Sequence, residues 1–360
     1  MSLAQPKRIL IIKLRHHGDV LLSTPVVDAL KTRFPDCEID MLVYAGTEQL
    51  IADNPQIAQI LTIDRNWKKL GVFKQLACEK NLFSKLKARD YDWAFNLSDQ
   101  WRAAIIAKLC ARCSVGFDCI KRDGFWWRFC HDFINHELDP SHHIVENQLN
   151  ILAPLIQPED VADAKVRLWV AQDARESMRQ KLREQGWNGE DYVLLHPGAR
   201  WHFKCWEDGK NAAIVQLLLN SGQNVVLTAS HNTVEQYMLQ EIIGRLNIPE
   251  GGKVWVLSGC LSLRELAAAI EGAKLFVGVD SAPMHIAAAL DKPQIALFGA
   301  SWVDKWRPYS EQAEVIYAGD YAELPHPDSI DTNDPTRLLK AIPLQDVWDR
   351  ISAKLEALEA

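Results

Sequence analysis

Short apolar runs along this chain alternate with longer segments whose apolar residues recur at helical spacing. In the first half the runs are Ile9 to Leu14, Ile39 to Tyr44, Ile60 to Asp64 and Tyr91 to Leu97, and the clearest helical patterns cover Phe73 to Arg89 and Gln100 to Ala111. The second half repeats this independently. Its strands are expected at Tyr192 to His196, Asn224 to Ala229, Val254 to Leu257, Leu275 to Asp280 and Gln294 to Phe298, with helices near Asn211 to Leu219, Val234 to Leu246 and Leu263 to Ala273. Near-continuous apolar strands separated by amphipathic helices mean parallel sheets covered on both faces. The expectation is an α/β chain with two doubly wound domains.

Between the halves, Ala153 to Asp191 carries Pro154, Pro158, a charged helical segment and Gly186-Trp187-Asn188-Gly189, and reads as the connection into the second sheet. The segment Leu344 to Leu358 puts Val347, Ile351, Leu355 and Leu358 on one helical face with no strand after it, so it is expected to pack back on a domain. The expected boundaries are 1–172, 173–342 and, for the terminal helix, 343–360.

A length of 360 residues suits two domains of ordinary size, and 48% hydrophobic with 24% charged residues describes a soluble globular protein. No apolar run approaches the ~20 residues needed to span a bilayer, and MSLAQPKRILIIK lacks a cleavable signal pattern, so a cytoplasmic location is expected. Cysteines at 37, 78, 110, 113, 119, 130, 205 and 260 are then reduced thiols. Cys110 and Cys113, with Cys119, Cys130 and His131 downstream, invite a zinc reading. Against it, Leu109 and Cys110 continue a helical apolar pattern and no second close pair follows.

The net charge is −7, yet the first half contains two basic stretches. Arg65, Lys68, Lys69 and Lys74 lie together without an acid, and Arg102 to His131 holds Arg102, Lys108, Arg112, Lys121, Arg122 and Arg128 against Asp118 and Asp123. Solvated loops explain many such runs. Here the second stretch is interleaved with Phe125, Trp126, Trp127 and Phe129, which fits a cationic, partly apolar surface for an anionic amphiphile.

Three turns carry candidate chemistry. VGVDSAPMHIAAA, Val277 to Ala289, reads as a strand opening directly into a helix, with Asp280 and Ser281 at its cap, Pro283 in its first turn and His285 one turn on. Such an opening is an ordinary capped helix or a phosphate site built on free N–H groups. Arg15-His16-His17-Gly18-Asp19 follows the first strand and precedes a helix with Thr24 expected as its cap and Pro25 as its first residue, so Gly18-Asp19 either shapes a turn or places an acid where open α/β sheets bind ligands. Pro197-Gly198-Ala199-Arg200, with Lys204 and Trp206 beyond, is a surface loop or a set of backbone N–H groups and one ammonium for a diphosphate.

Together these segments resemble the ADP-heptose:lipopolysaccharide heptosyltransferases, over nearly the whole chain. The carriers are Gly18-Asp19, the His196 to Trp206 segment, the helix opening Leu261-Ser262-Leu263, and the VGVDSAPMHIAAA block followed by Pro293 and Phe298-Gly299. The resemblance implies a GT-B architecture, two Rossmann-like domains facing a central cleft, with the acceptor on the first domain and the ADP-sugar on the second. It implies an inverting transfer of heptose from ADP-heptose to the lipopolysaccharide inner core, peripheral attachment at the inner membrane, and no essential metal or other cofactor. Asp19 matches the catalytic base and Lys204 the lysine near the diphosphate. Asp280, Ser281, Ala282 and His285 match the donor-binding block, Leu261 the apolar contact to adenine, and Glu235, loosely, the ribose acid.

Where other members carry hydroxyl residues after the strand ending at His196, this chain has Gly198 and Ala199, so backbone N–H groups or Arg200 must supply phosphate contacts. Lys68, Lys69, Arg122 and Arg128 are the expected acceptor cations. Asn96 to Trp101, with His16-His17 ahead of Gly18, looks most like the heptosyltransferase III branch, which adds a side heptose to the second heptose. Heptosyltransferase I or II activity, a nucleotide-sugar epimerase and a non-catalytic nucleotide-sugar binder are the alternatives.

Overall fold

The computed structural model describes residues 5–118, 122–136 and 141–359, and the chain divides into two compact units, Met1–Trp169 and Val170–Ala360. Cys119 and Lys121 lie outside the described residues. Helix α7 below belongs to the second unit, so the connection is shorter than the stretch from Ala153 to Asp191.

In the first unit the chain runs β1 (Arg8–Lys13), α1 (His17–Leu21), α2 (Thr24–Arg33), β2 (Glu38–Tyr44), β3 (Gln59–Ile63), α3 (Val72–Ala88), β4 (Tyr91–Asn96), α4 (Trp101–Cys110), β5 (Ala111–Asp118), α5 (Phe125–Phe129), β6 (Phe133–His136) and α6 (Ile144–Asn150). All strands are parallel, in the order β3-β2-β1-β4-β5-β6. Central β1 is apolar through Ile9, Leu10, Ile11 and Ile12, each fully buried, because helices cover both of its faces. At the opposite edge from the strands' carboxyl ends, buried Asp40 takes hydrogen bonds from Arg89 (2.7 and 3.0 Å) and the Tyr91 hydroxyl (2.7 Å). Burial, together with that carboxylate, pushes the Tyr91 phenol far above its ordinary range.

The second unit runs α7 (Gln172–Arg183), β7 (Val193–His196), α8 (Asp208–Asn220), β8 (Val225–Ala229), α9 (Thr233–Ile243), β9 (Val254–Ser258), α10 (Leu263–Gly272), β10 (Leu275–Val279), α11 (Ala282–Ala289), β11 (Gln294–Phe298), α12 (Val303–Trp306), β12 (Ala313–Tyr317) and α13 (Leu344–Glu359). Its parallel sheet is ordered β12-β11-β10-β7-β8-β9, the same winding as the first unit when counted from its own first strand. Helix α7 is tied to α10 by Arg175–Glu271 (2.6 Å) and Lys181–Glu265 (2.5 Å). Helix α13 buries Val347, Ile351 and Leu355 against this unit's core, whereas Leu358, expected on the same face, is 46% exposed.

In both sheets the chain reverses its direction of winding between the first and fourth strands. Ligands bind outside the carboxyl ends of the strands at such a point. The β1/β4 and β7/β10 edges are therefore where chemistry is to be sought.

Two expected features differ in detail. Gly18-Asp19 is not a turn but the opening of helix α1, and α2 follows it with Ser23, not Thr24, at the cap position. The Thr24 hydroxyl instead donates to the Leu21 carbonyl at 2.9 Å, stitching the two helices together. The helical pattern through Cys110 stops there, and Ala111 starts β5. Cys110 and Cys113 are buried free thiols on either side of that junction, and burial pushes Cys110 up to about 11.

Candidate functional site

Asp19 stands just past the carboxyl end of β1, in the first turn of α1, where its Oδ2 accepts from the His16 N–H at 3.3 Å. The loop that carries it is held by the segment after β4. The Leu14 N–H donates to Ser98 Oγ (2.7 Å), the Gln100 amide donates to the Leu14 carbonyl (2.8 Å), and Arg15 pairs with Asp99 (3.0 Å). Arg65 adds a hydrogen bond to the Arg15 carbonyl at 3.0 Å. The Asn96 to Trp101 segment is thus the clamp that positions Asp19. Beside it, burial first and then the neighbouring His16 and Arg65 lower the His17 imidazole from its ordinary value.

At the β7/β10 edge of the second unit, the loop after β7 and the helix after β10 meet. Lys204 Nζ lies 2.5 Å from Asp280 Oδ2, with the two side chains only 15% and 7% exposed. The ammonium also stands 5.1 Å from the centre of the Trp201 ring, which stacks on Phe203. Trp201 was not anticipated from the sequence; its position between Arg200 and Lys204 was the available signal, since cations near an indole face gain attraction from the ring.

The helix opening after β10 departs from the expected capping. Ser281 occupies the cap position with extended backbone (φ −155°), but its hydroxyl turns back to the Val279 carbonyl at 3.2 Å. The Asp280 carboxylate is engaged by Lys204. Neither side chain caps α11, Pro283 has no N–H, and Met284 N–H closes on the Ser281 carbonyl at 3.2 Å. Ala282 begins the helix, and His285 is buried one turn in. A helix end left without a side-chain cap keeps its partial positive charge directed outward.

Gly198 and Glu235 explain one another. A Cβ on Gly198 would lie 2.7 Å from Glu235 Oε2 and 2.9 Å from its Cδ and Cγ, so the carboxylate fills the space that a side chain at 198 would need. Glu235 is buried; it accepts from the Ser230 N–H at 3.0 Å and lies 3.9 Å from His196 Nε2. Burial lowers His196 despite that neighbouring carboxylate, and its Nδ1 meets Thr228 Oγ1 at 2.9 Å. The expected ribose acid is therefore engaged beneath the loop, with its carboxylate turned to the domain interior. Ala199 is buried in the same loop, Arg200 is exposed at its end, and Leu261, half-buried, precedes the α10 capping box of Ser262 and Glu265 after β9.

The expected acceptor cations divide into two kinds. Lys68 and Lys69 are exposed on a short 3-10 turn, Arg65–Lys69, before α3. Arg122 is half-buried, donating to the Asp99 carbonyl at 2.7 Å and standing 5.8 Å from the rings of both Trp101 and Trp127. Arg128 pairs with buried Asp118 at 2.7 Å, and His136 also reaches Asp118 at 2.6 Å, so part of its charge is already neutralised.

Among the described residues no group of three or more His, Cys, Asp or Glu comes together as a cation ligand set, and no helix is long and apolar enough to cross a membrane.

This geometry has relatives. Residues 80–336 match glycosyltransferase family 9 (heptosyltransferase). The chain is 37% identical over 335 residues to lipopolysaccharide heptosyltransferase 3 of Escherichia coli, covering 93% of this chain and 95% of that one. Its fold superposes on a family 9 glycosyl transferase from Veillonella parvula with a TM-score of 0.83 at 20% identity, covering 99% of each chain. It superposes on the E. coli ADP-heptose LPS heptosyltransferase II with a TM-score of 0.77 at 22% identity, covering 98% of this chain and all of that one. The two Rossmann-like units are those of a GT-B glycosyltransferase, and the chain belongs to glycosyltransferase family 9, the heptosyltransferases.

Proposed function

We propose that this enzyme transfers L-glycero-D-manno-heptose from ADP-heptose to the lipopolysaccharide inner core, with heptose II as the acceptor sugar. The observation that carries the reading is Lys204, held against Asp280 beside an uncapped helix start at the β7/β10 edge. That arrangement offers an ammonium and backbone N–H groups to a diphosphate, and it recurs in order with the other family segments. Identity of 37% to a heptosyltransferase 3, against 25% to the heptosyltransferase 2 of Escherichia coli, favours the third type.

In the proposed reaction an acceptor hydroxyl displaces ADP at the anomeric carbon in one step, inverting its configuration. Asp19 takes the hydroxyl proton, a role that needs an ionised carboxylate within hydrogen-bond reach. Lys204, with the start of α11, stabilises the charge that builds on the leaving diphosphate. We assign Asp280, Ser281, Ala282, His285 and the backbone of Gly198 and Ala199 to the donor, with Arg200 toward the phosphates and Leu261 toward adenine. Glu235 supports the Gly198 loop from below. Lys68, Lys69 and Arg122 face the acceptor's anionic groups, Arg128 contributing less because Asp118 holds part of its charge. Since Lys204 and the helix start carry the diphosphate's charge, no essential metal is needed, and the enzyme works attached peripherally at the inner membrane.

The test is incubation with ADP-heptose and a panel of truncated core acceptors, with and without chelator, followed by mass analysis of the products. A single added heptose on acceptors that end in heptose II supports the reading. Transfer only to acceptors lacking heptose II, an isomerised sugar, or no turnover on the whole panel overturns it.

A further inference from the structure

The exposed large apolar side chains of this protein are unevenly placed. Most lie between residues 70 and 133, on α3, α4 and α5 and beside them. Helix α3 buries only Leu82 and Leu86, in its second half. Its first two turns extend past the packed part, with Val72 71% exposed, Phe73 89% and Leu76 59%. On α5, Phe125, Trp126 and Phe129 are 73%, 69% and 62% exposed and contact each other, while Trp127 alone turns inward.

The start of α4 links the two helices that carry these clusters. Arg102 at the start of α4 forms an ion pair with Glu79, one turn beyond Leu76 on α3, and its neighbour Trp101 packs edge-on against Trp127 of α5 at 5.4 Å. Topology gives the face its direction. Crossover helices run antiparallel to the strands they connect, so the starts of α3 and α4 lie at the carboxyl edge of the sheet, the edge that carries Asp19.

Around the α3 part of this surface the charge is almost entirely of one sign. From Arg65 to Lys80 there are Arg65, Lys68, Lys69, Lys74 and Lys80, and the single acid, Glu79, is already paired with Arg102. A side chain as exposed as Phe73 projects and does not line a groove, so the face is unsuited to enclosing a peptide or a free ligand. Projecting aromatic and aliphatic groups ringed by lysine are what an anionic interface binds, the rings entering the headgroup boundary and the ammonium groups meeting phosphates.

We propose that the first turns of α3 and the α5 aromatic cluster are a two-point docking surface for an anionic phospholipid bilayer. It rests on the reading that the acceptor is lipid-anchored, and it would hold the Asp19 edge of the first unit at the membrane where that acceptor lies.

The full-length protein is sedimented with sucrose-loaded vesicles of phosphatidylethanolamine and phosphatidylglycerol (7:3), and separately with phosphatidylcholine vesicles, at low and high salt. The expected result is binding to the anionic vesicles only, weakened by salt, and reduced about ten-fold or more in F73S/L76S and in F125S/W126S/F129S, since each removes large apolar groups from the interface. Both variants should keep the wild-type melting temperature and wild-type transfer to a deacylated, water-soluble acceptor. Equal vesicle binding by wild type and variants overturns the proposal, as does the absence of wild-type binding. So does equal binding to the phosphatidylcholine vesicles, or binding to the anionic vesicles that high salt leaves unchanged. Loss of transfer to the soluble acceptor by the wild type, with vesicle binding intact, would instead overturn the functional reading and leave the docking surface standing.

Discussion

Under the proposed function Lys204 does two things at once, and a double-mutant cycle separates them. Its ammonium is the partner of Asp280, and both side chains are largely buried. Replacing lysine by methionine keeps most of the volume but leaves a buried carboxylate without its cation. Breaking a buried pair from one side costs about 3–5 kcal/mol, which for a domain of this size lowers Tm by roughly 10 °C at about 2–4 °C per kcal/mol. Asp280→Asn costs less, because the longer lysine can turn its ammonium to water. Lys204→Met/Asp280→Asn leaves no buried charge and should return stability to within ~1 kcal/mol of wild type. Donor binding should follow a different pattern. A charge-assisted hydrogen bond to phosphate contributes about 1.5–3 kcal/mol, so ADP affinity should fall roughly ten-fold or more in both variants lacking Lys204 and by less in Asp280→Asn, which keeps the ammonium and leaves an amide in the donor block. The lost stabilisation of the leaving diphosphate should lower transfer by about 10²-fold. Thermal denaturation, calorimetry with ADP and single-turnover transfer measure the three quantities on the same four proteins. If the double variant regained ADP affinity and turnover together with stability, Lys204 would be a structural ion-pair partner and nothing more.

Asp19→Asn keeps an oxygen to accept from the His16 N–H and so should preserve α1, while transfer falls by roughly 10²-fold or more and ADP-heptose affinity is unchanged; near-normal turnover would place the base elsewhere. Gly198→Ser pushes a Cβ into Glu235 and should destabilise the second unit by about 1–3 kcal/mol; most of this should return in Gly198→Ser/Glu235→Ala, and a neutral single variant would refute the packing argument. His131 is buried against Gly116, with Nδ1 on the Trp127 carbonyl and Nε2 toward the Asn96 amide, and burial pulls it down to about 4. Its folded value lies below its unfolded one, so the unfolded chain binds the extra proton. The contribution is therefore fully present above pH 6.5 and is lost as pH falls toward 4, up to ~3 kcal/mol in all. Urea titrations of wild type and His131→Gln across that window should differ in slope by up to one proton, and parallel curves would show that His131 takes up its proton equally in the folded and unfolded chain.

Much of this architecture was legible because the strands at the centre of each sheet are buried on both faces and must read as unbroken apolar runs. β1, β2, β4, β7, β8, β10 and β11 all announce themselves this way, and so the carboxyl edge of each sheet, carrying Asp19 in the first unit and Gly198, Lys204 and Asp280 in the second, could be anticipated from the places of these residues just after strands. The strands that escaped notice are short or peripheral. β12 is an edge strand with a single fully buried residue, Ile316, and β6 is the four-residue segment Phe133–His136, while β5 begins immediately after a helix whose apolar pattern runs straight into it. What no periodicity carries is the use made of polar side chains within the site. Ser281 had every local reason to cap α11, since it occupies the cap position ahead of a proline, yet its hydroxyl serves the Val279 carbonyl. Glu235, on the exposed-looking first turn of α9, is drawn inward by the Ser230 N–H and by a space that exists only because residue 198 lacks a side chain. That pairing recasts the glycine. Where the family resemblance leads one to expect a hydroxyl, Gly198 reads from the sequence as a missing phosphate ligand; in the folded domain it is the gap that admits the Glu235 carboxylate. A side chain at 198 has no room while the Glu235 carboxylate lies beneath the loop, so under the proposed function the loop's backbone N–H groups, with Arg200 and Lys204, are what is left to meet the diphosphate.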